Sequence, residues 1–395
     1  MNVLKLLGRE KILFKGDLLT FEDELTKVVS SSSFLVLGGA GSIGQAVVKE
    51  IFKRTPQKLH VVDLSENNLV ELVRDIRSYY GYIKGDFQTF ALDIGSLEYD
   101  EFINFDGQYD YVLNLSALKH VRSEKDPFTL MRLIQTNIFN TLKTVRQSIQ
   151  NKSIKYFAVS TDKATNPVNM MGASKRIMEL FLMRENNNIK ISTARFANVA
   201  FSDGSLLHGF NERIKKNQPI AAPNDVKRYF VTQEEGGLLC LFSCVFGDKG
   251  DIFFPKLDDS LHLIKFSDIA IKYLKEIGLQ PLYCHSEEEA RDFVNKGFPN
   301  GYWPCYFSGS DTTGEKKFEE FYTSAEKIDL KKFEEIGVVK SQFEYDWNLL
   351  QGFEESIETI RNSGKWTKED LVLLFEKVLP EFVHLEKGKY LNDKM

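Results

Sequence analysis

From residue 34 to residue 196 the chain alternates short apolar runs, rich in β-branched and aromatic residues, with longer stretches of helical periodicity. The runs predict strands at Phe34–Leu37, Leu59–Asp63, Thr89–Leu92, Tyr109–Leu115, Tyr156–Ser160 and Ile189–Ala194. Between the first two, Gln45–Lys53 places Val47, Val48, Ile51 and Phe52 on one face, the stripe of an amphipathic helix. Strands that are apolar throughout, rather than at every second residue, belong to a parallel sheet covered on both faces. Right-handed crossovers through the intervening helices then give a doubly wound α/β fold.

After residue 198 this alternation breaks down. Helical stretches at Gln233–Phe246 and Lys265–Ile277 mix with a short strand at Asp251–Phe254, which predicts a smaller α+β lobe. Glu354–Arg361 and Thr367–Val378 read as solvated helices of a charged C-terminal extension. The predicted organisation is an N-terminal cap over 1–30, a nucleotide-binding domain over 31–197, a substrate-binding lobe over 198–330 and the extension over 331–395. Internal repeats and low-complexity tracts are absent from the sequence.

Composition narrows the class. The chain has 395 residues, 43% of them hydrophobic and 27% charged, as in an ordinary globular enzyme. A net charge of -5 gives no basic face for nucleic acid. No apolar run approaches the roughly 20 residues that cross a bilayer, and the N-terminus lacks a signal-peptide pattern, so a cytoplasmic protein without a membrane partner is expected. Cys240, Cys244, Cys284 and Cys305 read as reduced core thiols, and no histidine pair completes a metal set with them.

The first strand runs into Gly38-Gly39-Ala40-Gly41-Ser42-Ile43-Gly44, which opens a helix. That is the context in which a glycine fingerprint binds a dinucleotide. Gly38 permits the tight turn, Gly41 admits a pyrophosphate, and Gly44 lets helix pack on strand. The free amides at Ser42 and Ile43 face the phosphates with the positive end of the helix dipole. Asp63, ending the second strand, is placed to accept from an adenosine ribose, and its charge would repel a 2′-phosphate, so NAD is expected over NADP. Asp93 and Ile94 flank the adenine, or Asp93 caps the next helix. Leu115-Ser116-Ala117 offers small residues beside the nicotinamide ribose.

The fifth strand delivers an adjacent acid and base, Asp162 and Lys163, to this site. Further on stands Lys175, the lysine of a reductase Tyr-x-x-x-Lys pair, but the tyrosine position holds Met171. A thioether transfers no proton, so the pattern points to redox chemistry coupled to elimination rather than plain alcohol oxidation.

Gly38–Gly44, Leu115–Val121, Gln135-Thr136-Asn137, Ser160–Pro167, Gly172–Lys175, Arg195–Val199 and Arg228-Tyr229-Phe230 together resemble the extended short-chain dehydrogenase/reductases. Within them the chain is similar to the soluble nucleotide-sugar 4,6-dehydratases acting on UDP-N-acetylglucosamine in polysaccharide biosynthesis. Leu6–Arg9 resembles the start of that soluble region, and Thr313–Glu320 a glycine-glutamate-lysine segment near its end. The resemblance implies a Rossmann domain, NAD, a nucleotide-sugar substrate and a homo-oligomer. It also implies a reaction: hydride leaves C4 for NAD, water is eliminated across C5 and C6, and hydride returns to C6. In it Lys163 takes the C5 proton, Asp162 protonates the departing hydroxyl, Lys175 binds the nicotinamide ribose and Thr161 handles the C4 hydroxyl proton in place of tyrosine. Methionine at position 171 resembles the branch that retains configuration at C5. Asn198 and Arg228 match positions that meet the substrate diphosphate, with Lys119, His120, Asn166 and Ser205 near the sugar. A nucleotide-sugar 4-epimerase and a non-catalytic NAD-binding scaffold are the alternatives.

Overall fold

The computed structural model of the chain describes residues 2–257, 263–311, 313, 314, 316, 319–340 and 345–389. Its centre is a nine-stranded sheet. Six strands come from the first half: β1 (Ser33–Leu37), β2 (Lys58–Asp63), β3 (Asp86–Ala91), β4 (Tyr111–Asn114), β5 (Lys155–Thr161) and β6 (Lys190–Phe196). Next come β7 (Asn198–Val199), β8 (Ile220–Pro223), β9 (Lys227–Val231), β10 (Asp251–Pro255), β11 (Leu263–Lys265), β12 (Gln280–Cys284), β13 (Tyr302–Ser308), β14 (Lys327–Asp329) and β15 (Ile336–Lys340). The sheet order is β14-β15-β10-β6-β5-β4-β1-β2-β3, parallel from β3 to β10 and antiparallel at the edge formed by β15 and β14. The winding reverses between β1 and β4, which leaves a crevice at the carboxyl ends of these strands.

The expected doubly wound sheet is therefore present, with boundaries shifted where packing overrides pattern. β3 starts at Asp86 because its edge position leaves alternate residues exposed, so polar residues are tolerated there. The predicted Tyr109–Leu115 strand is shorter because Tyr109 turns its hydroxyl to His60. The expected boundary at 197 is crossed by later chain. Helix Gln233–Phe246 packs on the sheet, and the wholly buried β10 extends it by pairing in parallel with β6. What remains as a second lobe holds two three-stranded sheets, β11-β9-β7 and β12-β13-β8.

The C-terminal helices correct another expectation. Trp347–Ser363 and Lys368–Val378 are amphipathic rather than solvated. Leu350, Phe353, Ile357, Leu371, Phe375 and Val378 join one apolar core with Met178 and Phe181 of helix Met170–Glu185. Their charged outer faces hide that stripe in the sequence.

The N-terminal cap docks through Arg9, whose guanidinium makes two hydrogen bonds to the buried Glu235 at 2.7 and 2.8 Å. Its helix Lys15–Ser30 sets Phe21 against Phe242, Phe246 and Phe333. The four cysteines are buried and unpaired. Among the described residues no helix is long and apolar enough to cross a membrane, and no cluster of metal-ligating side chains occurs.

Candidate active site

A cleft of about 570 Å³ opens at the carboxyl ends of β1, β4, β5 and β6, roofed by residues from β8, β9 and β13 of the second lobe. At one end Gly38, Gly41, Ser42, Ile43 and Gly44 line it. Gly38 has φ +71°, and a Cβ there would lie 2.7 Å from the Ser116 amide nitrogen. At Gly44 a Cβ would come within 2.2 Å of the Gly38 carbonyl oxygen. Both positions therefore need glycine, one for its backbone and one for contact. The helix Ser42–Phe52 starts at Gly41, so its unpaired amides open onto the cleft. A Cβ on Gly41 would meet nothing nearer than 3.6 Å, which leaves the open side of the loop free for a pyrophosphate. Ser42 Oγ accepts from the Asp203 amide at 2.9 Å, tying this helix to the second lobe.

The acids expected beside the adenosine are placed differently from Gly38–Gly44. Asp63 does not line the cleft: its two oxygens accept from the Ala40 and Ser65 amides, each at 2.9 Å, and so brace the glycine loop from behind. Asp93 accepts from the Gly95 amide at 2.8 Å, and the N-cap of helix Leu97–Asp106 is Ser96 instead. Ile94 is buried in the core beside that helix. Leu115 and Ala117 line the cleft, whereas the Ser116 amide donates inward to Asn114 Oδ1. Asn137 fixes this loop, accepting from the Leu118 amide and donating to the Leu118 carbonyl and Ser174 Oγ.

Helix Met170–Glu185 brings in two more residues. Its first turn is held by Asn169, which caps the Gly172 amide at 2.8 Å, and by Glu124, which accepts from the Met170 amide at 2.6 Å. Met171 and Lys175 consequently share the cleft face. Lys175 Nζ donates to the Val159 carbonyl at 3.0 Å, and burial pushes its pKa down to about 7.

The chemical end starts where β5 gives way to a tight turn over Asp162–Ala164. Thr161 accepts from the Lys163 amide and donates to Asp162 Oδ1 at 2.9 Å. Lys163 Nζ lies 3.1 Å from Asp162 Oδ1 and 3.4 Å from Glu319 Oε1. Burial disfavours the charge on Lys163, but Asp162 and Glu319 outweigh it and hold the ammonium above its ordinary range. Glu319 is raised by its own burial and by Asp162, against the opposing pull of Lys163, Arg228 and Lys316. Among the described residues, Asp162 Oδ2 and Glu319 Oε2 are buried with no hydrogen-bond partner.

Glu319 was not a sequence candidate. It sits inside the Thr313–Glu320 segment that carried the resemblance, and only that signal could have flagged it. Glu315, Lys317 and Phe318 of the segment lie outside the described residues. The chain beyond Glu319 is clamped to the sheet by Arg195, fully buried between Glu179 and Glu326, which also donates to the Phe321 carbonyl. Glu179 accepts in turn from Ser160 Oγ at 2.6 Å, one residue before Thr161.

Of the substrate candidates, Lys119, His120, Asn198, Ser205 and Arg228 line the cleft. Burial lowers the pKa of Lys119, whose Nζ is 3.4 Å from Ser202 Oγ. Burial, with Lys119 and Arg122 adding to it, pushes His120 down to about 4, so its ring is neutral at pH 7. Asn198 donates to the Tyr229 carbonyl, and Ser205 caps helix Leu206–Lys215. Arg228 donates to the Lys227 and Lys316 carbonyls, both at 2.9 Å. Asn166 is a correction: at φ +46° it turns outward and donates to Glu320 at the surface, away from the cleft.

A glycine turn at the strand reversal, a buried lysine on the helix after β5 and a second lobe roofing the cleft are the frame of an extended short-chain dehydrogenase/reductase. Comparison with known proteins agrees. The chain belongs to the polysaccharide biosynthesis protein family, whose profile matches residues 34–341. A relative from Methanocaldococcus jannaschii, named an uncharacterized membrane protein, is 29% identical over 81% of this chain and 88% of its own. The UDP-N-acetylglucosamine 4,6-dehydratase (inverting) of Campylobacter jejuni is 24% identical over 87% of this chain and 97% of its own. A UDP-glucose 4-epimerase of Rickettsia bellii is 29% identical over 57% of this chain and 66% of its own. Among solved structures, Pen from Bacillus thuringiensis superposes with a TM-score of 0.64 at 24% identity, covering 80% of this chain and 90% of Pen. DesIV of Streptomyces venezuelae, a dTDP-glucose 4,6-dehydratase with NAD bound, gives 0.53 at 15% identity over 74% of this chain and 91% of its own.

Proposed function

We propose that the chain is an NAD-dependent nucleotide-sugar 4,6-dehydratase acting on UDP-N-acetylglucosamine, with retention at C5. The observation that carries this reading is the contact of Asp162 with Lys163 in the cleft that also holds Lys175, with Met171 in the tyrosine position. Kinship with a named 4,6-dehydratase supports the dehydration, and retention rests on Met171 alone, since that relative is named inverting.

NAD, seated on the glycine loop with its nicotinamide ribose at Lys175, would accept hydride from C4 and return it to C6. The protein has to move the protons. Thr161 relays the C4 hydroxyl proton, giving up its own toward Asp162 as it takes the sugar's, and that proton leaves to solvent before elimination. Elimination then needs a neutral amine for the C5 proton and a carboxylic acid for the departing hydroxyl, yet Lys163 rests as an ammonium beside a carboxylate. One transfer over the 3.1 Å between Lys163 Nζ and Asp162 Oδ1 converts that ion pair into the required base and acid. A sugar filling the cleft excludes water, which penalises the ion pair and favours the neutral one. Lys163 then takes the C5 proton, Asp162 gives its proton to the leaving hydroxyl and water departs. As hydride returns to C6, Lys163 gives the proton back to C5 and recovers its resting charge from solvent.

A 4-epimerase is the competing reading, since epimerases are also relatives. It requires no acid–base pair for elimination and normally keeps the tyrosine, so Asp162, Lys163 and Met171 all count against it. The test is to incubate the protein with NAD and UDP-N-acetylglucosamine and to follow product mass and C5 configuration. A product lighter by one water with C5 unchanged is expected. An unchanged mass with inverted C4 would establish the epimerase, and no turnover of any nucleotide sugar the scaffold.

A further inference from the structure

The residues after 341 lie outside the family match, and yet they reach the cleft. Beyond helix Lys368–Val378, Phe382 is buried and the chain then runs as a strap. The Leu385 amide donates to the Val168 carbonyl, and the Leu385 carbonyl accepts from the Gly314 amide, each at 3.0 Å. Thr313 is held three ways: its amide donates to the Lys389 carbonyl at 2.9 Å, its hydroxyl donates to Glu386 at 2.9 Å, and that hydroxyl accepts from the Lys387 amide at 3.0 Å. Gly314 in turn accepts from Asn169, the cap of the helix carrying Met171 and Lys175. The strap is thus built into the wall of the cleft, and Lys389 at its end lines that cleft.

Three other cations lining the cleft are committed to protein partners. Lys163 faces two carboxylates, Lys175 a carbonyl, and Arg228 donates to two carbonyls. Lys389 differs: its side chain is 60% exposed, paired at 2.8 Å with Asp311, which is itself 40% exposed. Such a surface pair is weak, and turning the ammonium toward a dianionic ligand costs little.

We propose that Lys389, carried by the strap 382–389, is a substrate-binding residue that pairs with the diphosphate of the nucleotide sugar. This rests on the nucleotide-sugar reading above and adds to it a contact from chain outside the family match.

The test is calorimetric titration of the NAD-loaded full-length protein with UDP, GDP and dTDP. Lys389→Ala should weaken the best-bound of these about fivefold, and Lys389→Glu further, with the difference shrinking as salt is raised. Thr313→Val, which cuts both side-chain bonds to the strap, should weaken it in the same direction with NAD still retained, and KM for the nucleotide sugar should rise in step. Equal affinity of wild type and Lys389→Glu for a diphosphate that the wild type binds overturns this inference alone. Failure of the wild type to bind any of the three overturns the nucleotide-sugar reading, and this inference with it.

Discussion

The two ends of the cleft are built on opposite principles. At the glycine loop, polar groups are satisfied by backbone: the Gly38 amide donates to the Val62 carbonyl, both Asp63 oxygens accept amides, and Asn137 is used on both sides of its carboxamide. At the Asp162 end, one lysine is shared by two carboxylates, each with a buried oxygen that no described residue satisfies. An unpartnered buried acceptor costs about 1–3 kcal/mol, so the fold maintains this end against its own stability. The first end is braced before any ligand arrives, with only its helix amides left open for phosphate, whereas the second holds buried charge that the ligand completes. A rigid seat suits a retained cofactor, whereas unsatisfied charge suits groups that must exchange protons.

If that contrast holds, substitutions at the two ends should fail in different ways. The largest effect is expected at the chemical end. Lys163→Ala and Asp162→Asn should each lower water loss by about 10²–10⁴-fold, the usual worth of a positioned acid or base. NAD should be retained in both. Asp162→Asn should keep its melting temperature near wild type, because Lys163 still faces Glu319. Lys163→Ala leaves two buried carboxylates without their shared cation and should also melt lower. Turnover measured by product mass, beside cofactor content, checks this; full activity in either variant would remove the assigned roles.

At the cofactor end the order reverses. Asp63→Ala leaves the Ala40 and Ser65 amides without their partner and should cost about 1–3 kcal/mol, read as a lower melting temperature. Gly38→Ala forces a side chain into a left-handed turn against Ser116, with strain of about the same size. Both variants should lose NAD on gel filtration, yet the fraction that keeps it should turn over normally. Normal NAD retention in Asp63→Ala would mean that the brace behind the loop does not shape the seat.

How much of this was legible follows the same division. The glycine loop, the strands β1 to β6 and the adjacent Asp162 and Lys163 are local patterns, and a local pattern survives in the sequence. The outward turn of Asn166 and the cap at Ser96 rather than Asp93 escaped because spacing reveals neither a left-handed residue nor a helix that begins at Leu97. The long-range features were out of reach. Nothing local tells that β10, β14 and β15 return to the first sheet, or that Glu319 closes on Lys163. The C-terminal helices looked solvated because Phe353, Leu371 and Phe375 stand among charges, and only their docking partner makes them core.

The subtlest test concerns Glu319, the residue that sequence missed. One limit on the proposed proton transfer lies on the alkaline side. Once Lys163 has lost its proton to solvent, Asp162 has none to give the leaving hydroxyl, so activity falls toward alkali. The alkaline limb therefore reports Lys163, whose pKa is raised by Asp162 and Glu319 against burial and Arg228. Glu319→Gln deletes one of the two charges that stabilise the ammonium, so the Lys163 pKa drops and the alkaline limb of kcat moves to lower pH. A purely structural role for Glu319 would lower activity at every pH and leave the limb in place. A shifted limb with a melting temperature at or above wild type would show that the buried carboxylate is kept for its charge, at the expense of stability.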